Sequence, residues 1–173
     1  MKALHWIQFT WDLAALPATL PQLPEHYQIV PAAEGDEKEM RKVIASAFTL
    51  DPAWNPALQE ALQTIAGWLD RAPSSETSVC LTLRHGVRII GAAVLSLDPA
   101  AESHLVPGPC VSMEYRNRGF GTRLLEHSLA TLRAAGLTQA SALTTESSPA
   151  TRFLYPKFLG VSAPCELRPA LAA

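Results

Sequence analysis

Leu124, Leu125, Ser128, Leu129 and Leu132 recur at helical spacing, while Arg123, Glu126, His127, Thr131 and Arg133 fill the opposite face. Residues 123–135 therefore read as an amphipathic helix. Gly136 supplies its stop. Residues 110–115 ahead of it have strand character, and Gly119 and Gly121 lie at the junction. The order is strand, glycine turn, helix.

Hydrophobic periodicity divides the rest of the chain as well. Near the N-terminus Ile7, Phe9 and Trp11 alternate with Trp6, Gln8 and Thr10, the two-residue period of a strand. Pro17, Pro21 and Pro24 then carry the chain, without helix, to a short strand at 27–30. Asp36 and Glu39 have capping-box spacing, and Met40, Val43, Ile44, Ala47 and Phe48 form the buried stripe of the helix they open. Asp51-Pro52 and Asn55-Pro56 bracket a loop around Trp54. A second helix over 56–71 places Leu58, Leu62, Ile65 and Leu69 on one side. Strands at 78–83 and 87–97 join through Arg84-His85-Gly86 as a hairpin, the second central by its Ile and Val content. Extended structure over 102–115 is interrupted by Pro107-Gly108-Pro109. Residues 139–144 read as the next, parallel strand, and 150–158 as a final helix ended by Gly160.

At the glycine turn the chemistry is that of an anion site. Two glycines one residue apart let main-chain N–H groups converge, and a helix N-terminus adds unpaired donors and partial positive charge. Arg116, Arg118 and Arg123 set three formal charges against Glu114. A phosphate or pyrophosphate suits such a loop; the same glycines could also serve only to turn the chain. No Gly-Lys-Ser/Thr follows, so it is not a nucleotide P-loop, and the G-x-G-x-x-G spacing of a dinucleotide fold is absent.

Arg116, Gly119 and Gly121 in this setting resemble the signature of the GNAT superfamily of acyl-CoA-dependent N-acetyltransferases: Arg or Gln, two residues, Gly, one residue, Gly or Ala. Tyr115 through Gly121 also follows the common aromatic-Arg-x-Arg-Gly-x-Gly context. The resemblance covers roughly residues 27–161 and is specific between 111 and 136. It implies an α/β (α+β) fold. The expected form is a single domain with a central mixed, mostly antiparallel twisted sheet, splayed at the acyl-CoA site, flanked by helices and extended by an extra N-terminal strand. Residues 1–26 would be that strand and its Pro-rich connection, and 27–173 the acetyltransferase domain.

The resemblance further implies acetyl-CoA as co-substrate and no metal. Arg116, Arg118, Gly119, Phe120, Gly121 and Thr122 would hold its pyrophosphate. Main-chain groups of Val111 and Met113 would pair with the pantetheine arm as with a strand. Pro107-Gly108-Pro109 would mark the splay, or simply a loop. Trp54 and Trp68 would belong either to the acceptor cleft or to the core. Ser147, Ala150, Tyr155, Lys157 and Gly160 match a further family pattern, with Ser147 in place of the usual Asn and offering the cofactor a hydroxyl. The segment 153–160 is one residue longer than the common form, so either Leu154 or Tyr155 takes the tyrosine position.

Composition narrows the partners. A hydrophobic share of 48% in 173 residues supports one globular domain, and a net charge of −2 gives no general pull toward nucleic acid or an anionic membrane. Cys80, Cys110 and Cys165 lack metal-ligand spacing, and an odd number without a secretory signal fits a reduced, cytoplasmic protein. No apolar run approaches the roughly 18 residues of a membrane span.

Acetyl transfer to an amine needs a neutral amine, a stabilised oxyanion and a proton for the leaving thiolate. The backbone N–H of Val111 or its neighbour is the expected polarising donor and Tyr155 the expected acid. His104, with an ordinary imidazole pKa of about 6.5, is the candidate base, with Glu102, Glu146 or water as substitutes. Cys110 has no His and acid near it in sequence, so it reads as a buried strand residue more than a nucleophile. The expected function is direct transfer of an acetyl group from acetyl-CoA to a primary amine on a small molecule or peptide. Its competitor is a non-catalytic acyl-CoA-binding or regulatory module. Residues 161–173 include Pro164 and Pro169 and fall short of a full closing strand. The open sheet edge would be covered by the N-terminal segment or by a second subunit in a homodimer.

Overall fold

The computed structural model describes residues 5–72 and 75–165. In chain order the elements are β1 (Trp6–Asp12), β2 (Tyr27–Pro31), α1 (Glu37–Thr49), α2 (Leu58–Arg71), β3 (Ser78–His85), β4 (Arg88–Ser96), β5 (Cys110–Val111), α3 (Phe120–Ala134), β6 (Gln139–Thr145) and β7 (Val161–Cys165). The strands form two antiparallel sheets, ordered β2-β3-β4-β5 and β6-β1-β7. Among the described residues no helix is long and apolar enough to cross a membrane.

The apolar stripe of α3 does what its spacing predicts. Leu124, Leu125, Leu129 and Leu132 are fully buried against Phe9, Trp11, Leu81 and Leu95, each worth about 1.5–3 kcal/mol of burial. Met40, Val43 and Ile44 of α1 join Ile65 and Leu69 of α2 over the other face of β4. Alternate residues of β4 thus enter different cores: Ala93 and Leu95 face α3, Ala92 and Val94 face α1. The strand is central, as its composition predicts. At Gly91 a Cβ would lie 3.0 Å from the Cys110 carbonyl oxygen, so β5 can approach β4 only across a glycine.

The N-terminal strand pairs within its own chain. β1 lies between β6 and β7 and is antiparallel to both, with Trp6 opposite Thr145 and Cys165. Trp11 anchors it by donating its indole N–H to the Lys157 carbonyl at 3.0 Å. Two expectations change here. A strand does form at Val161–Cys165, so the sheet is not cut short there; Pro169 lies outside the described residues. The ladder partner of β6 is β1, in antiparallel register, where a parallel neighbour was expected.

Local expectations at two helices also give way. Asp36 makes no cap bond at α1, because its carboxylate accepts from Ala33 N–H at 2.6 Å and pairs with Arg84 of β3. A long-range ion pair has displaced the local cap. Residues 150–158 form no continuous helix; a π-turn at Ala150–Leu154 is followed by a 3-10 turn at Lys157–Leu159.

The two sheets are tied together at residues 102–105. His104 N–H donates to Ser141 of β6 at 2.7 Å, and its carbonyl accepts from Ser96 of β4 at 2.9 Å. Ser103 Oγ accepts from Leu143 N–H at 3.2 Å. Beyond this tie the chain stays with β4, through Val106 N–H to Val94 and Val94 N–H to Pro107, while β6 stays with β1. A V-shaped opening results where Pro107-Gly108-Pro109 interrupts the strand.

His104 is the knot of that tie. Its Nδ1 accepts from Ser141 N–H at 3.0 Å, so Nε2 carries the proton and donates to the Asp98 carbonyl at 3.0 Å. Burial lowers the imidazole pKa below its ordinary 6.5. A depressed pKa means the neutral ring is favoured in the folded state, so its stabilisation is present above 6.5 and lost as pH falls through the folded value. Urea unfolding at about pH 8 and about pH 5 should show that loss, and His104→Gln should flatten it. Equal pH dependence in both proteins would exclude this role.

Candidate active site

The glycine turn places its donors where the sequence predicts them. Gly119 caps α3 with φ of +82°, and no side chain takes over the cap. The first-turn N–H groups are therefore open to an anion. Asn117, also left-handed at φ 61°, curls the loop beside them. Phe120 is buried against Tyr27 and Tyr115 and fixes the helix start from behind.

Charge at the loop differs in detail from the sequence pattern. Arg116 is held by a bond from Nε to the Val111 carbonyl at 3.0 Å and reaches Ala47 O at 3.5 Å. Arg118 is exposed and stacks on Tyr115, 5.5 Å from the ring centre. Arg123 is paired with Glu126 at 2.8 Å and leaves the loop. Lys157 takes its place, its Nζ 2.8 Å from Thr122 Oγ1. Only the tertiary path of residues 150–159 brings this lysine to the glycines.

From the loop a cavity of about 1160 Å³ runs into the V between the sheets. Ligand cavities typically span about 300–1,000 Å³, so this one lies at the large end. Arg116, Gly119, Gly121, Thr122 and Lys157 line it, as do Val111 and Tyr155. Ser112 N–H donates to Ile90 of β4 at 2.8 Å. Peptide groups alternate along an antiparallel ladder, so those of Val111 point away from β4; its carbonyl is taken by Arg116, and its N–H is left toward the cavity that the residue lines.

Several expected residues stand elsewhere. Met113 does not extend the strand: it starts a 3-10 turn, is 54% exposed, and its carbonyl accepts from Arg116 N–H at 3.2 Å. Ser147 is exposed and off the cavity wall; Ser148 lines it, but its hydroxyl is engaged with Thr144 at 2.8 Å and Thr151 at 3.2 Å. His104 is buried behind the wall with both ring nitrogens bonded, as is required of a tie between sheets and not of a base.

A family model for the acetyltransferase (GNAT) family matches residues 38–161. The chain belongs to that family. Among solved structures, the GCN5-related N-acetyltransferase from Sphaerobacter thermophilus superposes with a TM-score of 0.67 at 16% identity, covering 94% of this chain and 50% of that one. The chain thus spans half the length of that relative. A GNAT family acetyltransferase from Brucella melitensis in complex with acetyl-CoA has a TM-score of 0.51 at 26% identity, covering 65% of this chain and 71% of that one. A comparison with curated proteins returns no match.

Within this GNAT fold the extra residue of segment 153–160 has a physical outlet. Tyr155 N–H bonds the Ala150 carbonyl, five residues back, at 2.8 Å. A π-turn absorbs one added residue without rotating the downstream side chains out of phase. Tyr155 consequently faces the opening, between Phe9 at 5.5 Å and Trp11 at 5.4 Å, and Leu154 lines the wall beside Gly121. The tyrosine hydroxyl lies against Gly108, where any Cβ would collide with it. It has no hydrogen-bond partner among the described residues. Burial, then the nearby Cys110, push its pKa well above the ordinary 10.0.

Proposed function

We propose that this GNAT domain transfers an acetyl group from acetyl-CoA directly to a primary amine. The observation that carries the reading is one cavity lined by an uncapped helix N-terminus with Arg116 and Lys157, by Val111, and by Tyr155, whose hydroxyl has no hydrogen-bond partner among the described residues. The residues fit a CoA thioester along that path: Gly119 to Thr122, Arg116 and Lys157 at the pyrophosphate, and Val111 at the arm. Bound there, acetyl-CoA supplies an activated acyl carbon.

The chain's own groups then have separable tasks. Val111 N–H polarises the thioester carbonyl as charge builds on its oxygen. The amine nitrogen forms its bond to the acyl carbon as the carbon–sulfur bond breaks. Tyr155, held protonated by its surroundings, donates its proton to the departing thiolate and is reprotonated from water, which balances the proton the amine releases. The amine's proton leaves to water, since His104 is engaged. Cys110 supports direct transfer over a covalent acyl-enzyme: burial pushes its thiol up to about 12, outweighing Arg116, so almost no thiolate nucleophile exists at neutral pH.

Thiol release from acetyl-CoA, measured with a reporter disulfide across an amine panel, tests this reading. Amine-dependent release is expected. Binding of acetyl-CoA with no release for any amine would favour the regulatory module instead.

A further inference from the structure

The cavity is also lined by four aromatic side chains, Trp6, Phe48, Trp54 and Trp68. Trp54 is their hub, edge-on to Trp6 at 5.9 Å and tilted against Phe48 at 5.0 Å. They converge from β1, α1, the turn at Pro52–Ala57 and α2. Trp6 lies outside the residues that match the family model, so this wall depends on the N-terminal strand threaded between β6 and β7. All four line the cavity, with Trp6 nearly buried and Phe48 and Trp68 also packed on the core between α1 and α2.

The cavity carries charge of both signs. Lys157 stands at Thr122 and Arg116 between Val111 and Ala47, while Asp51, Asp98 and Glu102 also line it. Asp51 and Asp98 each give one oxygen to a local turn, to Ala53 N–H and Ala100 N–H, and keep the other. The remaining basic group on this wall, Arg71, is exposed and itself engaged.

On the reading of the chain as an acetyl-CoA-dependent transferase, we infer that its acceptor is an arylalkylamine: one primary amine on a flat, apolar body. The body stacks in the Trp6–Phe48–Trp54–Trp68 wall, and the ammonium is drawn by the carboxylates before it gives up its proton. A polyamine would strand several charges against aromatic walls. A free amino acid would bring a carboxylate among three others.

The test uses the full chain with 2-phenylethylamine, tryptamine, spermidine and glycine as acceptors at saturating acetyl-CoA. The two arylalkylamines should exceed the others in kcat/KM by at least about tenfold, roughly 1.4 kcal/mol. Trp54→Ala should raise the KM for 2-phenylethylamine about tenfold, Trp54→Phe should restore most of it, and acetyl-CoA affinity should not follow. Preference for spermidine or glycine, or a KM indifferent to Trp54, would overturn the inference. Tryptophan fluorescence titrated with 2-phenylethylamine alone reads the same wall without the cofactor. Failure to quench there overturns the acceptor assignment, whereas failure of acetyl-CoA to bind overturns the transferase reading.

Discussion

Gly119→Glu should abolish acetyl-CoA binding, raising Kd by at least about 100-fold. The residue caps α3 with its φ at +82° and has no atom within 4 Å of where a Cβ would stand. The glutamate side chain therefore enters open space at the mouth of the phosphate site. A carboxylate about 4 Å from a phosphate oxygen costs about 4 kcal/mol at a surface-like dielectric. That figure alone exceeds the expected loss. Gly119→Ala separates the two contributions, because it keeps the left-handed strain of about 1–2 kcal/mol and adds no charge. Calorimetric titration with acetyl-CoA and with desulfo-CoA is the measurement. Glutamate binding within about threefold of wild type would mean that the loop only turns the chain.

Tyr155→Phe should lower kcat by about 100-fold while leaving the protein folded and acetyl-CoA bound. The ring stays between Phe9 and Trp11, and the hydroxyl that is lost makes no hydrogen bond among the described residues. Thermal stability should therefore change by less than about 1 kcal/mol. The pH behaviour carries a second signature. Because the folded pKa is raised above the ordinary 10.0, the phenol's contribution to stability is complete below that value and lost as pH climbs beyond it. The phenylalanine variant lacks that alkaline loss. In wild type the acid also stays protonated through neutral and mildly alkaline pH, so the rate should show no tyrosine-dependent fall there. A kcat within about twofold of wild type would remove Tyr155 from the chemistry.

The loop and the tyrosine differ in how far the sequence alone reveals them. Gly119 needs a backbone that side chains resist, so its left-handed turn is visible as a glycine between strand and helix. Tyr155 is ambiguous by one residue in the sequence, because a π-turn and an α-turn cannot be told apart from periodicity over so short a segment. Lys157 reaches Thr122 across 35 positions, and nothing near either residue announces the contact. His104 shows the opposite error: an imidazole before the site suggests a base, yet its nitrogens are claimed by Ser141 and Asp98 in the fold. Propensity places Met113 on the strand, but the bond from Arg116 closes a turn there.

By itself, then, the sequence determines what repeats locally: the amphipathic helix α3, the central strand β4, and the glycine junction with its cationic neighbours. Their basis is a period of two or 3.6 and the backbone freedom of one residue type. Tertiary structure alone decides that β1 lies between β6 and β7, that Trp6 meets Trp54, and that Lys157 reaches Thr122 at the glycine turn. Trp6 and Thr145 are paired by a ladder whose two strands are separated by most of the chain. Each strand carries its own alternation, but an alternating strand fits any partner of the same period, so the choice of neighbour is made by packing across the whole core.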